Sequence, residues 1–312
     1  MSVCISGNTD FWRNDPFIQT GHPRPGNNLF GANRRYKGTA NGLDCAYAVA
    51  VDGSNNVIVT GSSFGSGAAN DYATIKYSSA GVPLWTNRYN GPGNSDDQAH
   101  CMAVDGSDNV IVTGSSRNSE TNYDYATLEY SSEGVPLWTN RYNGSGNGYD
   151  WASAVVVDGS DNVIVTGYSR GSETNFDYVT IKYSSAGEGL WTNRYNGSGN
   201  GDDQALAVAV GRSNNVIVTG GSTGSAGSTD FVTVKYICVP EPVMTNLSGT
   251  NGTFQMQVDA VLQPGTLVIE ASTDLAGWAP VFTNTTPTNV LFYTDPDAGS
   301  HLWRFYRAFQ FP

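Results

Sequence analysis

Apolar and polar residues alternate with a period of two along much of this chain, and no window carries a helical stripe. Runs such as Ala46–Asp52 (AYAVAVD), Val57–Ser62 (VIVTGS), Tyr72–Ser78 (YATIKYS) and Leu84–Tyr89 (LWTNRY) are rich in β-branched and aromatic residues, which predicts strands. Between them stand DGSxN, a Gly/Ser/Asn loop, SSAG and NGxGN, all segments of turn chemistry. The set of four recurs. LWTNRYN lies around Trp85, Trp138 and Trp191. NVIVTG begins at Asn56, Asn109, Asn162 and Asn215. Asp-Tyr or Asp-Phe pairs begin at Asp71, Asp124, Asp177 and Asp230. Every one of these spacings is 53 residues, so four units run from about Lys37 to Tyr236.

Four antiparallel strands per unit, repeated in tandem, predict an all-β chain of β-propeller blades. A lone four-stranded sheet leaves two apolar faces and two edges open, and radial packing would bury the faces. The fourth unit lacks its outer strand, since Met244 stands where Trp is expected, while Phe30–Tyr36 (FGANRRY) reads as an outer strand with no inner strand before it. Joining the two gives a propeller of four four-stranded blades in residues 1–239, with 1–36 as closing segment and 37–236 as repeats. The alternative is a fifth, degenerate blade from Val3–Tyr36 and Val243–Leu247. Pro240–Pro242 reads as a linker. Residues 240–312 show about six short strand signals and predict a small fibronectin-like β-sandwich.

The unit D-x-A-x-A-V-A-V-D-G-S-x-N-V-I-V-T-G … D-Y-x-T-I-K-Y-S-S-x-G … L-W-T-N-R-Y-N-G resembles the bacterial seven-bladed-propeller (SBBP) repeat family. The resemblance covers about 200 residues. It implies a secreted or surface-attached propeller and no defined catalytic chemistry. Seven units of this length would not fit in the chain before Pro240. The string STDLAGW … TDPDAGSHLWRFYRA is similar to C-terminal extensions of secreted bacterial repeat proteins.

Charge narrows the function classes. Lys and Arg number 16 against 28 Asp and Glu, a net charge of −12, so a phosphate backbone would be repelled and nucleic acid is excluded as an expected partner. No run approaches ~18 uninterrupted apolar residues, so no membrane-spanning helix is expected. The first fifteen residues lack the basic and apolar regions of a leader, yet low Lys and abundant Thr, Asn, Gly and Tyr suit an extracellular or cell-surface protein. Cys4, Cys45, Cys101 and Cys238 lack zinc-site spacing and are expected as free thiols, with a Cys4–Cys238 bridge as the alternative.

Candidate chemistry falls on the repeats. Asp44, Asp97, Asp150 and Asp203 recur at the start of each first strand, after N-G-x-G-N loops. Oxygen ligands at alternate positions would suit weak Ca²⁺ binding, although Asn stands at the leading position and a distant Glu is absent. The competing expectation is that each Asp accepts hydrogen bonds from its own loop. Gly61-Ser-Ser63-Phe-Gly65 and its copies match G-x-S-x-G, but a strand follows where a nucleophile elbow needs a helix. His100, alone among the repeats, replaces Tyr47, Ser153 and Leu206, and is the candidate base. Trp151 replaces Cys45, Gln98 and Gln204, and is the candidate for a distinctive contact. Arg117 and Arg170 open the most variable loops and join Trp151 and His100 as expected binding residues. Trp85, Trp138 and Trp191, each followed by an Arg three residues on, read either as a sugar-binding face or as packing between units. The expected function is a noncatalytic secreted or surface module that presents repeated loops to carbohydrate or protein. The alternative is a metal-assisted hydrolase or lyase at the channel mouth.

Overall fold

The computed structural model describes Val3, Cys4 and residues 34–311, apart from 66, 68, 119–121, 172–174, 212–213, 238–242, 251–252, 260–265, 286–289 and 302. The chain forms two compact units, Met1–Tyr236 and Ile237–Pro312. The first holds four antiparallel sheets. Sheet one runs β1 (Val3–Cys4), β2 (Asp44–Val51), β3 (Val57–Phe64), β4 (Asn70–Tyr77) and β5 (Pro83–Tyr89). Sheet two runs β6 (Asp97–Val104), β7 (Val110–Arg117), β8 (Tyr123–Tyr130) and β9 (Pro136–Tyr142). Sheet three runs β10 (Asp150–Val157), β11 (Val163–Arg170), β12 (Phe176–Tyr183) and β13 (Gly189–Tyr195). Sheet four has three strands, β14 (Gln204–Val210), β15 (Val216–Thr223) and β16 (Thr229–Tyr236), as the missing outer-strand signal foretold.

Each turn follows from its residues. Asp52 Oδ1 accepts the backbone N–H of Ser54 at 2.9 Å and of Asn56 at 2.8 Å. Asn55 closes that turn at φ 60°, a left-handed conformation that Asn tolerates. Asp108, Asp161 and Asn214 repeat it at φ 63°, 58° and 56°. The first two strands of every sheet share a bulge. Ala46 faces Gly61 and Ala48 faces Thr60, which leaves Tyr47 as the extra residue. His100, Ser153 and Leu206 are the extra residues of the other three sheets. The glycine of NVIVTG is required beside this bulge. A Cβ on Gly61, Gly114, Gly167 or Gly220 would strike the carbonyl oxygen of Cys45, Gln98, Trp151 or Gln204.

Successive sheets pack face to face. Ala48, Ala50, Ile58 and Tyr72 of sheet one bury against Val110, Val112, Ala126, Leu128 and Tyr130 of sheet two, with Trp85 and Tyr89 at the margin. The Tyr72 hydroxyl donates to Ala126 O at 3.2 Å, Tyr125 to Val179 O at 3.4 Å and Tyr178 to Val232 O at 3.4 Å. Trp85 Nε1 donates to Ser132 O at 3.0 Å, and Trp138 Nε1 to Ser185 O at 3.3 Å. The outer-strand tryptophans are therefore packing residues.

The propeller expectation is corrected. Among the described residues the chain forms six small, separate antiparallel sheets, and none closes into a ring. The two ends of the stack of four remain open. Tyr72, Tyr125 and Tyr178 are 1%, 1% and 0% exposed, whereas Phe231, their fourth copy, is 98% exposed. At the other end Val49 is exposed where Met102 and Val155 of the middle sheets are buried, and Val51 is exposed where Val104 and Val157 are half-buried. Arg34–Tyr36, the described part of the supposed closing strand, does not pair with β16. Tyr36 instead accepts from Arg88 at 3.3 Å, on the first repeat. Residues 30–33 lie outside the described residues. The physical reason is that a repeat fixes the strands and the face between neighbours, but four strands per unit do not encode the rotation that would bring the last unit to the first.

The cysteine expectation also changes. Cys101, fully buried, is disulfide-bonded. Cys45 is a free, exposed thiol. The side chains of Cys4 and Cys238 lie outside the described ones.

The second unit holds two three-stranded antiparallel sheets. One has β17 (Val243–Thr250), β18 (Thr253–Asp259) and β21 (Val290–Asp295) in that order. The other has β20 (Ala279–Asn284), β19 (Thr266–Ser272) and β22 (Phe305–Phe311). Met256, Val258, Leu267 and Ile269 form the core between them, a small sandwich. A 3₁₀ turn at Ala298–Ser300 is the single helical element among the described residues. No helix is long and apolar enough to cross a membrane, which leaves β-barrel spans unaddressed.

Candidate functional site

The bulges aim unlike side chains at one place. Tyr47, extra in sheet one, meets His100, extra in sheet two, edge to face with ring centroids 6.3 Å apart. His100 stacks on Trp151 of sheet three at 4.2 Å and an interplanar angle of 20°. Trp151 lies parallel to Tyr168, its cross-strand partner, at 6.5 Å and 9°. Tyr168 meets Phe176 edge on at 5.1 Å. Tyr123 touches this row from sheet two, 6.3 Å from Trp151 and 6.0 Å from Tyr149. The result is an aromatic strip across three sheets. Tyr47, His100, Trp151, Tyr168, Phe176 and Tyr123 are all half-buried, and Tyr149 is exposed.

Two guanidinium groups border the strip. Arg117 lies over Tyr123 at 5.9 Å and Arg170 over Phe176 at 5.1 Å. Both hold their positive charge against an aromatic face. Each faces that ring across a strand pair, Arg117 opposite Tyr123 and Arg170 opposite Phe176. The four expected binding residues therefore share one neighbourhood. Reasoning from the sequence missed Tyr168, Phe176, Tyr123, Tyr149 and Tyr47. Their signal was available as departures from the repeat: Tyr168 stands where the other copies have Ser62, Ser115 and Gly221.

His100 does not carry the bonding of a base. Its Nδ1 lies 3.0 Å from Ala152 O, while Nε2 is buried with no hydrogen-bond partner among the described residues. Burial pushes the imidazole down to about 4, against a smaller opposing effect of the Ala152 carbonyl. It is neutral at neutral pH. Burial likewise raises the phenols of Tyr47, Tyr123 and Tyr168. The strip is an uncharged platform with cations at its border.

The four repeated aspartates lie elsewhere in their loops. Asp44, Asp97, Asp150 and Asp203 accept the backbone N–H of Gly38, Gly91, Gly144 and Gly197 at 3.0, 2.6, 2.7 and 2.6 Å. Arg117 N and Thr223 N donate to the second oxygens of Asp97 and Asp203 at 3.1 and 2.9 Å. Ser63 Oγ donates to Asp44 at 2.7 Å. Ca²⁺ takes six to eight oxygens with free lone pairs. Here N–H dipoles point their positive ends at the carboxylates, and among the described residues no three His, Cys, Asp or Glu side chains come together as a ligand set. Each carboxylate thus caps its own loop. Burial, the largest effect, holds Asp97 and Asp150 up at about 6 despite these bonds.

The G-x-S-x-G serines are structural as well. Arg88 Nη1 donates to Ser63 Oγ at 2.6 Å and Arg194 Nη1 to Ser169 Oγ at 3.0 Å. The same guanidinium groups pair with Asp71 and Asp177, both at 2.7 Å. The arginine after each tryptophan thus ties its own sheet together.

Comparison with known proteins adds little to this geometry. No family model matches the chain, and no curated protein does. A solved structure described as a glycoside hydrolase has a TM-score of 0.26 and 14% identity over 84% of this chain. This chain spans 66% of that protein, less than two thirds of its length. So slight a likeness carries no argument about fold or function.

Proposed function

We propose that the chain is a noncatalytic binding module whose aromatic strip takes carbohydrate. The observation that carries this reading is the continuous row Tyr47–His100–Trp151–Tyr168–Phe176, half-buried and bordered by Arg117 and Arg170. Sugar rings present flat C–H faces that stack on aromatic rings, and Arg and Tyr groups supply hydrogen bonds to hydroxyls. The strip is built from residues that differ between repeats, so it forms one composite site rather than a site repeated with each unit. Catalysis is the weaker reading because His100 is bonded to a backbone carbonyl and its other nitrogen meets no nucleophile or acid.

A glycan array followed by titration of tryptophan fluorescence tests this. Trp151→Ala is expected to lower affinity for the retained glycan at least tenfold while leaving the circular dichroism spectrum intact. Absence of glycan binding by the parent, or equal binding by Trp151→Ala, refutes the reading.

A further inference from the structure

We infer that the open end of the fourth sheet is a docking face for the first sheet of a second copy of this chain, joined head to tail. This face lies apart from the binding strip, and the chain already makes the same kind of interface three times. In each internal contact, the trailing face of one sheet offers two small apolar residues (Ala48 and Ala50, Cys101 and Ala103, or Ala154 and Val156), an isoleucine and a tyrosine. The leading face of the next offers two valines, an alanine or a third valine, an aliphatic residue and a tyrosine. Ala48, Ala50, Ile58 and Tyr72 meet Val110, Val112, Ala126, Leu128 and Tyr130 in this way.

Both halves of that contact recur at the ends of the stack, the trailing half largely exposed and the leading half with Val57, Val59 and Tyr77 half-buried over a buried Ala73 and Ile75. The trailing set of sheet four is Ala207, Ala209, Ile217 and Phe231. Ala207, Ala209 and Phe231 are exposed and Ile217 is half-buried, although their counterparts in sheet one are buried. The leading set of sheet one is Val57, Val59, Ala73, Ile75 and Tyr77. These residues line a cavity of about 630 Å³. In sheets two and three the equivalent space is filled by the preceding repeat. The faces are complementary because they are copies of faces that already fit.

The strands complete the match. β16 has no described partner on its outer edge, and the sheet stops at three strands. An unpaired edge of this kind templates a further strand. Arg34–Tyr36 already holds the outer-strand position against sheet one. Arg88 donates to the Tyr36 hydroxyl as Arg141 donates to Tyr89, and Arg34 Nε reaches Gly81 O as Asn87 Nδ2 reaches Gly134 O. In the complete sheets Tyr72 stands opposite Tyr89. By that register Phe231 of one copy stands opposite Tyr36 of the next, and Lys235 is placed to reach Ser79 O as Lys76 reaches Ser132 O at 3.0 Å. The contact is heterologous, so each added copy leaves a fresh face, and assembly grows with concentration.

Sedimentation velocity on the full chain from 1 to 100 µM is the first test. The weight-average mass is expected to rise at least twofold across that range. Phe231→Asp, at a site 98% exposed and therefore harmless to the single chain, is expected to return it to monomer. The second test mixes Phe231→Cys with Tyr36→Cys, each in a Cys45→Ser background, under mild oxidation. A disulfide-linked dimer is expected in the mixture in excess of either variant alone. A constant monomer mass, association unaffected by Phe231→Asp, no excess dimer in the mixture, or crosslinking within one chain carrying both cysteines would each overturn the proposal.

Discussion

Glu129→Lys is the most discriminating substitution that the repeat offers. In sheets one and three the third strand carries Lys76 and Lys182, paired with Asp52 at 2.8 Å and Asp158 at 2.7 Å in nearly full burial. Sheet two has Glu129 at that offset, 2% exposed, with Asp105 in place of Asp52. Two acids thus occupy the site of an ion pair. Burial, then the charge of Asp105, raises the Glu129 carboxyl from its ordinary 4.5 to about 7. A carboxyl raised on folding contributes stability below its unfolded value and loses it as pH climbs through the folded one. The full shift corresponds to about 3 kcal/mol as an upper bound, and solvent screening brings it to roughly 1–2 kcal/mol. Lysine at 129 would face Asp105 and Ser185 O, the counterparts of the Asp52 and Ser132 O that Lys76 engages. Urea unfolding of parent, Glu129→Lys and Glu129→Gln from pH 5 to 8.5 reads the effect. The parent is expected to weaken toward pH 8. Glu129→Lys should exceed it by about 1–2 kcal/mol at pH 8, with the gap narrowing toward pH 5. Glu129→Gln should lose the pH dependence without gaining the ion pair. Asp97 and Asp150, raised to about 6, add a slope of the same sign at lower pH, so the variant-minus-parent difference isolates Glu129. Equal pH profiles for parent and Glu129→Lys would refute the reasoning.

Other outcomes follow from the same geometry. Gly114→Ala drives a methyl into the carbonyl of Gln98 beside the His100 bulge and should cost about 2–4 kcal/mol, read by thermal melting. Tyr125→Phe removes only the bond to Val179 O and should cost about 1 kcal/mol. Because His100 is lowered to about 4, glycan affinity should be flat from pH 5.5 to 8; a transition near 6.5 would show the imidazole titrating in the open. Melting curves in millimolar Ca²⁺ and in chelator should coincide for the parent, whose loop carboxylates already receive N–H donors, whereas a calcium-dependent rise would restore the metal reading.

The strands and turns were legible because both obey local rules. Asp52 and Asn55 close a turn through contacts within four residues, and Val57–Phe64 announces itself by β-branching alone. The missing strand of the fourth sheet was legible for the same reason. Ring closure was not, because it depends on the angle between successive sheets. That angle is set by how Tyr72, Trp85 and their copies seat against the next sheet, and a period of 53 residues is silent about it. The short pairing of Val3–Cys4 with β2 was equally hidden, since two residues give no periodicity to read.

The site shows where repetition misleads and where it informs. Features that recur, Asp in four units and Trp and Arg in three, invited functional readings, yet these Asp, Trp and Arg residues cap loops, fill interfaces and brace sheets. A residue that recurs at one offset meets a need its units share, here the loop, interface and sheet contacts just named. Function that belongs to one place must be written in residues that break the repeat. His100, Trp151 and Tyr168 do so at three offsets, and the bulge and cross-strand register bring them into one row. Phe231 breaks it in the opposite sense. It lacks the hydroxyl that Tyr72, Tyr125 and Tyr178 each give to the following sheet, at the one unit that no further sheet of the same chain follows among the described residues.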